Sequence, residues 1–260
     1  MHPPRTISAI FQRRWLLYVM VVHNLKLRYR GSLFGFLWTL LNPLLFMGIY
    51  TLVFSTIFRY NIKHYPVFVL SGLLAWTWFS ESIATGTTAV ISGSGFIKSS
   101  IFPSEILPAV SVATAMMNFV FALPLLFLFL GIFQVPMGWS LLALPIIMVV
   151  HFVLTLGIVC IVATYNVFYR DLQQLITHIL MALFFLTPVF YDISIAPSRY
   201  LRFLRLNPLA VLINSYRSIF FYNQFPNWVN LGYLSLIAVA LLWLGSRVYE
   251  NHKEVFAEYI

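Results

Sequence analysis

Residues 26–58 read KLRYRGSLFGFLWTLLNPLLFMGIYTLVFSTIF. The first five hold three cations, Lys26, Arg28 and Arg30, and the 28 residues from Gly31 to Phe58 contain no Asp, Glu, Lys, Arg or His. A hydrocarbon layer about 30 Å thick is crossed by roughly 20 apolar residues in a helix that rises about 1.5 Å per residue. The run is long enough to cross, and cations stopping at its edge mark the end that stays on the cytoplasmic side.

The pattern recurs along the chain. Residues 65–97 carry one formal charge, Glu81; residues 106–169 carry none, although His151 is present. That long run breaks at Gln134-Val135-Pro136-Met137-Gly138, a polar turn signal. Residues 172–191 hold only His178 as an ionisable group, and 231–246 are apolar again. Six spans are expected, near 34–57, 67–90, 107–132, 141–166, 172–191 and 229–248. Of the 260 residues 61% are hydrophobic and 9% charged, against about 25% charged in soluble domains. The fold class is therefore an all-α membrane protein of one domain over 1–260: an interface helix within 1–30, six spans over 31–248 and a cytoplasmic tail over 249–260.

The N-terminal segment ISAIFQRRWLLYVMVVHNL, residues 7–25, places Ile7, Ile10, Phe11, Tyr18, Val21, Val22 and Leu25 at helical spacing, with Arg13 and Arg14 off that stripe. Its apolar core is too short to span and no small-residue cleavage site follows. An amphipathic helix in the interface plane is expected. Arg5, Arg13, Arg14, Lys26, Arg28 and Arg30 all precede the first span, so the N-terminus is expected inside. Six crossings return Arg247 and Lys253 to the same side, with the loops carrying Lys98 and Arg170. Arg59, Lys63 and the segment 192–228 then lie outside. In that segment Arg199, Arg202 and Arg205 stand three apart, and Asn207-Pro208 reads as an N-cap followed by proline at the first helical position. Two short helices re-entering from the outer face are expected between spans five and six, the second carrying Arg217.

The net charge of +9 sits beside apolar spans, which points to topology and lipid phosphates rather than nucleic acid. The single cysteine, Cys160, lies in an apolar span and reads as an inert buried thiol. No His pair stands at i, i+4 and no Cys/His cluster exists, so no metal site is expected. None of the four lysines follows a glycine, so there is no phosphate-binding G-x-x-x-x-G-K-[ST] loop. Of the seven carboxylates only Glu81 falls within a span. Ion-coupled transporters place several ionisable groups there, so the energy for any transport comes from elsewhere. Glu81 reads as a structural group, bonded across helices or reaching the inner interface.

Phe34, Trp38, Asn42, Phe46 and Tyr50 recur every four residues. Four residues of helix turn about 400°, so the row drifts only about 40° per step and keeps to one side. Trp76, Trp78, Phe184, Phe185 and Phe190 add aromatics in two other spans. Such rings either line a path, where their flat faces stack on the C–H faces of sugars, or pack against lipid and neighbouring helices. The inner loop FIKSSIFPSEILP, residues 96–108, brackets Glu105 with Pro103 and Pro108, and Ser104 is placed to cap a helix. It is a connector or a stiff knob that docks on a cytoplasmic partner.

Six segments in order, LKLRYRGSLFGFLWTLLNP (25–43), FIKSSIFPSEILP (96–108), YNVFYRDLQQ (165–174), LTPVFYD (186–192), NPLAVLINSYRSIFF (207–221) and a tail ending VFAEYI, give the chain its family likeness. It resembles the transmembrane subunit of ABC-2 type exporters, in the group that exports O-antigen, capsule or teichoic acid. The resemblance implies a homodimeric permease, not itself an enzyme, in the inner membrane with both termini cytoplasmic. It is paired with two copies of an ATPase that binds ATP and Mg, and this chain holds no cofactor. The substrate it implies is polysaccharide, O-antigen type foremost, on a polyprenyl diphosphate lipid. The glycan path is assigned to Phe34, Trp38, Asn42, Phe46, Tyr50, Trp76, Trp78 and Phe185. Arg28 and Arg30 either contact the diphosphate or serve only as topology anchors. ATPase coupling falls to Lys98, Phe102, Pro103, Glu105, Arg170 and Asp171, and an outer gate to Arg199, Arg202, Arg205 and Arg217. An exporter of drugs or small lipids shares the membrane fold. A membrane glycosyltransferase would need converging acidic or cationic groups, for which Asp192 and the outer arginines are the available set.

Overall fold

The computed structural model describes residues 12–97, 102–193, 204 and 206–260. Among them all regular structure is helical. Lys98, Arg199, Arg202 and Arg205, the first of the two expected re-entrant helices, and the N-terminal residues Arg5, Ile7, Ile10 and Phe11 lie outside the described residues.

Helix α1 (Arg14–Tyr29) carries Lys26 and Arg28 in its last turn, where cations suit the helix dipole. Its packed face is Leu17, Met20, Val21 and Leu25 against Ile106, Val110 and Ala113. Tyr18, expected on that face, is exposed and stacks on Trp15 with ring centroids 5.6 Å apart. The contact stripe follows the 17–20–21–25 spacing, and Tyr18 points off it. Gly31 and Gly35 then take positive φ, +75° and +46°, and turn the chain into the first span.

Helix α2 (Gly35–Ile57) opens with a 3-10 turn, is α-helical over Trp38–Tyr50 and widens to a π-helix over Thr51–Ile57. Of the residues in its α-helical part only Pro43 and Met47 are buried. Helix α3 (Tyr65–Thr87) is buried on nearly every side, packing on α2 and on all the later long helices except the last. These are α4 (Ile106–Ile132), α5 (Trp139–Phe168), α6 (Leu172–Leu186), α7 (Pro208–Phe220) and α8 (Trp228–His252). Apolar side chains gain little from leaving lipid for protein, so close backbone approach and satisfied polar groups hold such a bundle. The tightest approach joins α5 and α8, where Gly245 faces the Gly157 carbonyl and Gly157 faces the backbone of Leu241 and Leu242.

Five helices, α2, α3, α4, α5 and α8, are long and apolar enough to cross a membrane. The fifth expected span, 172–191, is shorter as a helix: α6 stops at Leu186 after 15 residues. Pro188 explains the stop. A residue before proline is driven out of the α region, and Thr187 sits at φ −104°, ψ 136°. Fifteen residues rise about 22 Å, and the five following residues add up to about 16 Å if extended, so a sixth crossing is compatible with the geometry. Helix α7 starts as the sequence predicts, with Asn207 Oδ1 accepting from Leu209 N at 2.9 Å and Pro208 in the first turn. It is buried along most of its length among α3, α5 and α8. Helix α8 is capped in the same way, Asn227 Oδ1 accepting from Val229 N and Asn230 N, both at 3.1 Å.

The loop ends gather into two groups. At one end Ser140 donates to Asn223 at 3.0 Å and Tyr65 Oη donates to the Phe190 carbonyl at 2.6 Å. At the other, Glu105, Phe168, Tyr249, Lys253 and Phe256 come together.

Candidate functional site

The aromatic row runs on past Tyr50. Phe54 and Phe58 continue the same four-residue step, and the rings stack in succession: Phe46 on Tyr50 at 6.3 Å, Tyr50 on Phe54 at 6.3 Å, Phe54 on Phe58 at 5.6 Å. The π-helix keeps the row together. A helix bonded i to i+5 turns less per residue than an α-helix, so it reverses the angular drift accumulated through residues 34–50. Phe190 seals the row from the side, parallel to Tyr50 at 5.8 Å and 4.8 Å from Phe54.

The predicted path residues separate into an open and an enclosed group. Phe34, Trp38, Asn42, Phe46 and Phe185 are exposed on the single chain, Phe46 by half. Tyr50 is half-buried under Phe184 and Phe190. Trp76 stands behind that surface, packed on Phe184 at 5.5 Å and Phe79 at 5.8 Å. Trp78 is deeper still, its ring 3.8 Å from that of His151, whose Nδ1 lies 3.2 Å from Tyr216 Oη.

Where α1 ends, α2, α3 and α4 border a half-open cavity of about 260 Å³ with a mixed lining: Arg28, Asn42, Thr77, Glu81 and Asn118 beside apolar side chains such as Leu74 and Phe119. The Glu81 carboxylate accepts from the Arg28 guanidinium and, at 3.0 Å, from Asn118 Nδ2. The lone intramembrane carboxylate is thus paired and bonded across three helices, as a charge at that depth requires. Asn118 was legible only as a polar residue in an otherwise apolar run. Arg28 is nearly half exposed, and screening holds such a pair to about 1 kcal/mol. Glu81→Gln keeps an acceptor for Asn118 and removes the charge. We expect it to lower stability by about 1 kcal/mol with assembly intact, checked by thermal unfolding in detergent. Arg30 is exposed beyond the end of α1.

Arg217 is not on an open gate face. It is 1% exposed, and its guanidinium donates to the carbonyls of Val189, Tyr191 (3.3 Å) and Phe68 (3.5 Å) while lying 3.7 Å from the centroid of the Phe68 ring. Beyond the helix break at Pro188 the carbonyls of Val189 and Tyr191 have no helical partner and the bilayer cannot solvate them; the planar five-donor guanidinium takes both. Gly72 leaves the room: a Cβ there would lie 3.0 Å from the guanidinium and from the Val189 carbonyl. Beyond it, burial, together with the hydrogen bond that Tyr222 Oη donates to the Asp192 carboxylate at 2.9 Å, pushes the phenol up to about 12.

Of the predicted coupling residues, Arg170 and Asp171 are exposed in the turn after α5, and Phe102 stacks on Phe96 at 5.3 Å. Pro103 accepts from Ile106 N through its carbonyl, at 3.2 Å. Glu105 is buried against the chain itself, its carboxylate taken by Lys253 Nζ at 2.5 Å. Ser104 supplies its carbonyl rather than a side-chain cap, accepting from Leu107 N and from Tyr249 Oη.

The ABC-2 type transporter profile matches residues 16–221. The chain belongs to the ABC-2 type transporter family. The family's six-segment likeness noted above spans the same helices that build the aromatic row, the Arg217 contacts and the inner loops. An O-antigen export system permease protein of Myxococcus xanthus is 39% identical over 98% of this chain and 99% of its own length. A protein of the same name from Klebsiella pneumoniae is 32% identical over 94% of each chain. The polysialic acid transport protein of Escherichia coli is 23% identical over 96% of this chain and 94% of its own. As an ABC-2 membrane subunit the chain is an integral membrane transport component.

Proposed function

We propose that the chain is the permease subunit of an ATP-driven exporter that moves polysaccharide of the O-antigen type, linked to polyprenyl diphosphate, across the cytoplasmic membrane. The observation that carries this reading is the aromatic row along α2, exposed at Phe34, Trp38, Phe46 and Phe58 and half-buried at Tyr50 and Phe54, on a helix whose α-helical part buries only two residues. Two copies set face to face through α2 would enclose it, which favours a homodimer. Ring faces hold sugar C–H faces weakly and repeatedly, so a polymer can slide without settling. The export and transport roles of the relatives point to the same substrate class.

In this reading both termini are cytoplasmic and the chain lies in the inner membrane, following its charge distribution. ATP and Mg are bound by two copies of a separate ATPase that seats on residues 96–106 and the Arg170-Asp171 turn, with Lys98, Phe102 and Pro103 at the contact. A nucleotide shifts an equilibrium only by its differential affinity for two states of what it touches, and the inner loops are what it can touch. Arg28 and Arg30 lie where the diphosphate would enter. The outer arginines Arg199, Arg202 and Arg205 belong to the gate that Arg217 braces from within.

Replacing Trp38 and Phe46 together by Leu keeps both positions apolar and removes the flat faces. We expect export of lipid-linked glycan to fall about tenfold while the complex still assembles. ATP hydrolysis by the wild-type complex should rise with lipid-linked glycan and not with small amphiphiles. Stimulation by small amphiphiles alone would instead support a drug or small-lipid exporter.

A further inference from the structure

Residues 249–260 touch the first inner loop and the end of α5, just before the second. After α8 the backbone tightens through Lys253–Val255 and ends in a short helix, Phe256–Tyr259. Lys253 Nζ pairs with Glu105 Oε1 at 2.5 Å, and Tyr249 Oη donates to the Ser104 carbonyl at 2.8 Å, both in the first loop. Phe256 is fully buried between Tyr249, at 5.2 Å, and Phe168 at the end of α5, at 6.4 Å. Phe168 also meets the Tyr259 ring edge to face at 4.9 Å and that of His252 at 5.6 Å. The short terminal helix packs against Ser94–Ile97 as well. The tail therefore bridges the segment before α4 and the end of α5, which are far apart in sequence.

From these contacts we infer that the C-terminal segment 249–260 is a tie that makes the two inner loops one mechanical unit. Lys253, Tyr249 and Phe256 are its positioning residues. This rests on the reading of those loops as the surface an ATPase pushes. A push on one loop moves only that loop unless it is joined to the rest, and helices pinned separately relax separately. With the tie in place, displacement of residues 102–105 reaches α5 through Phe168 and α8 directly. Glu105 accordingly works inside the chain. Its carboxylate is 11% exposed and Lys253 occupies it, so it is a poor contact for a second protein.

Charge reversal tests the tie. On the purified full-length chain, Lys253→Glu should speed backbone hydrogen exchange in 102–107 and in 165–169 about fivefold or more, and Lys253→Glu with Glu105→Lys should restore it. Exchange unchanged in both segments overturns the tie whatever the fate of the transport reading. In the complex with its ATPase, Lys253→Glu should lower export about fivefold with ATP hydrolysis retained, and the double reversal should recover export. Export at the wild-type level in Lys253→Glu overturns the coupling role. Tyr249→Phe, which removes only one hydroxyl, should show the same uncoupling more weakly. If no ATPase accompanies the wild-type chain, the transport reading falls while the exchange experiment still decides the tie.

Discussion

Gly245→Val is expected to leave no correctly assembled membrane domain. A Cβ at 245 would stand 2.2 Å from the Gly157 carbonyl oxygen, and one at 157 would stand 2.5 Å from the backbone of Leu241 and Leu242. Those atoms are backbone in two facing helices, so no rotamer change relieves the overlap. The helices must part along α5 and α8. Lost close packing is then the main loss, because lipid replaces apolar contact at little cost but cannot replace backbone approach. We expect a destabilisation above about 3 kcal/mol, beyond ordinary overpacking. Size-exclusion of detergent extracts should find Gly245→Val and Gly157→Val aggregated or absent. Gly232→Ala, on the same helix with no atom within 4 Å of the new Cβ, should be neutral or stabilising by about 0.5–1 kcal/mol.

The second large effect is at Arg217. Arg217→Met fills a similar volume and deprives the carbonyls of Val189 and Tyr191 of their donor, whereas the Phe68 carbonyl keeps Ser71 Oγ at 2.9 Å. Each buried acceptor left unmade costs about 1–3 kcal/mol, so a loss of about 2 kcal/mol or more is expected, read as a lower unfolding temperature in detergent. Protease should gain access to residues 187–193, where the helix break is held by that guanidinium. Arg217→Lys should recover part of the loss, since an ammonium offers three donors but neither the planar fork nor the same fit over the Phe68 ring. A stability within about 0.5 kcal/mol of wild type for Arg217→Met, the range of surface substitutions, would show that the carbonyls find other partners.

Much of this architecture was legible residue by residue. Charge-free runs announce spans because the bilayer excludes charge, and α2, α3, α4, α5 and α8 lie where hydropathy put them. Asn207-Pro208 announced α7 because capping is a local event. Burial was not legible. Arg217 was placed on the second re-entrant helix and in the outer gate, but its burial could not be read, because its partners are carbonyls, which every residue owns and no side-chain pattern advertises. Pro188 ends the helix locally, but what holds the chain beyond it, Arg217 on the carbonyls of Val189 and Tyr191, comes from a residue far along the sequence. Phe54 and Phe58 share the step of the aromatic row, yet continuing it past residue 50 requires a π-helix that nothing in the local sequence demands. Glu105 looked like a partner contact; its true neighbour, Lys253, is 148 positions away.

In the proposed function the chain provides a path through lipid and no energy source, and its motion is imposed by a nucleotide-binding subunit. The direct measurement is glycan translocation in proteoliposomes holding the chain alone or the chain with the ATPase that purifies with it. Lipid-linked glycan is expected to cross only when both subunits and Mg-ATP are present, and proton and sodium gradients across vesicles of the chain alone are expected to move none. Translocation driven by an ion gradient in vesicles of the chain alone would contradict it.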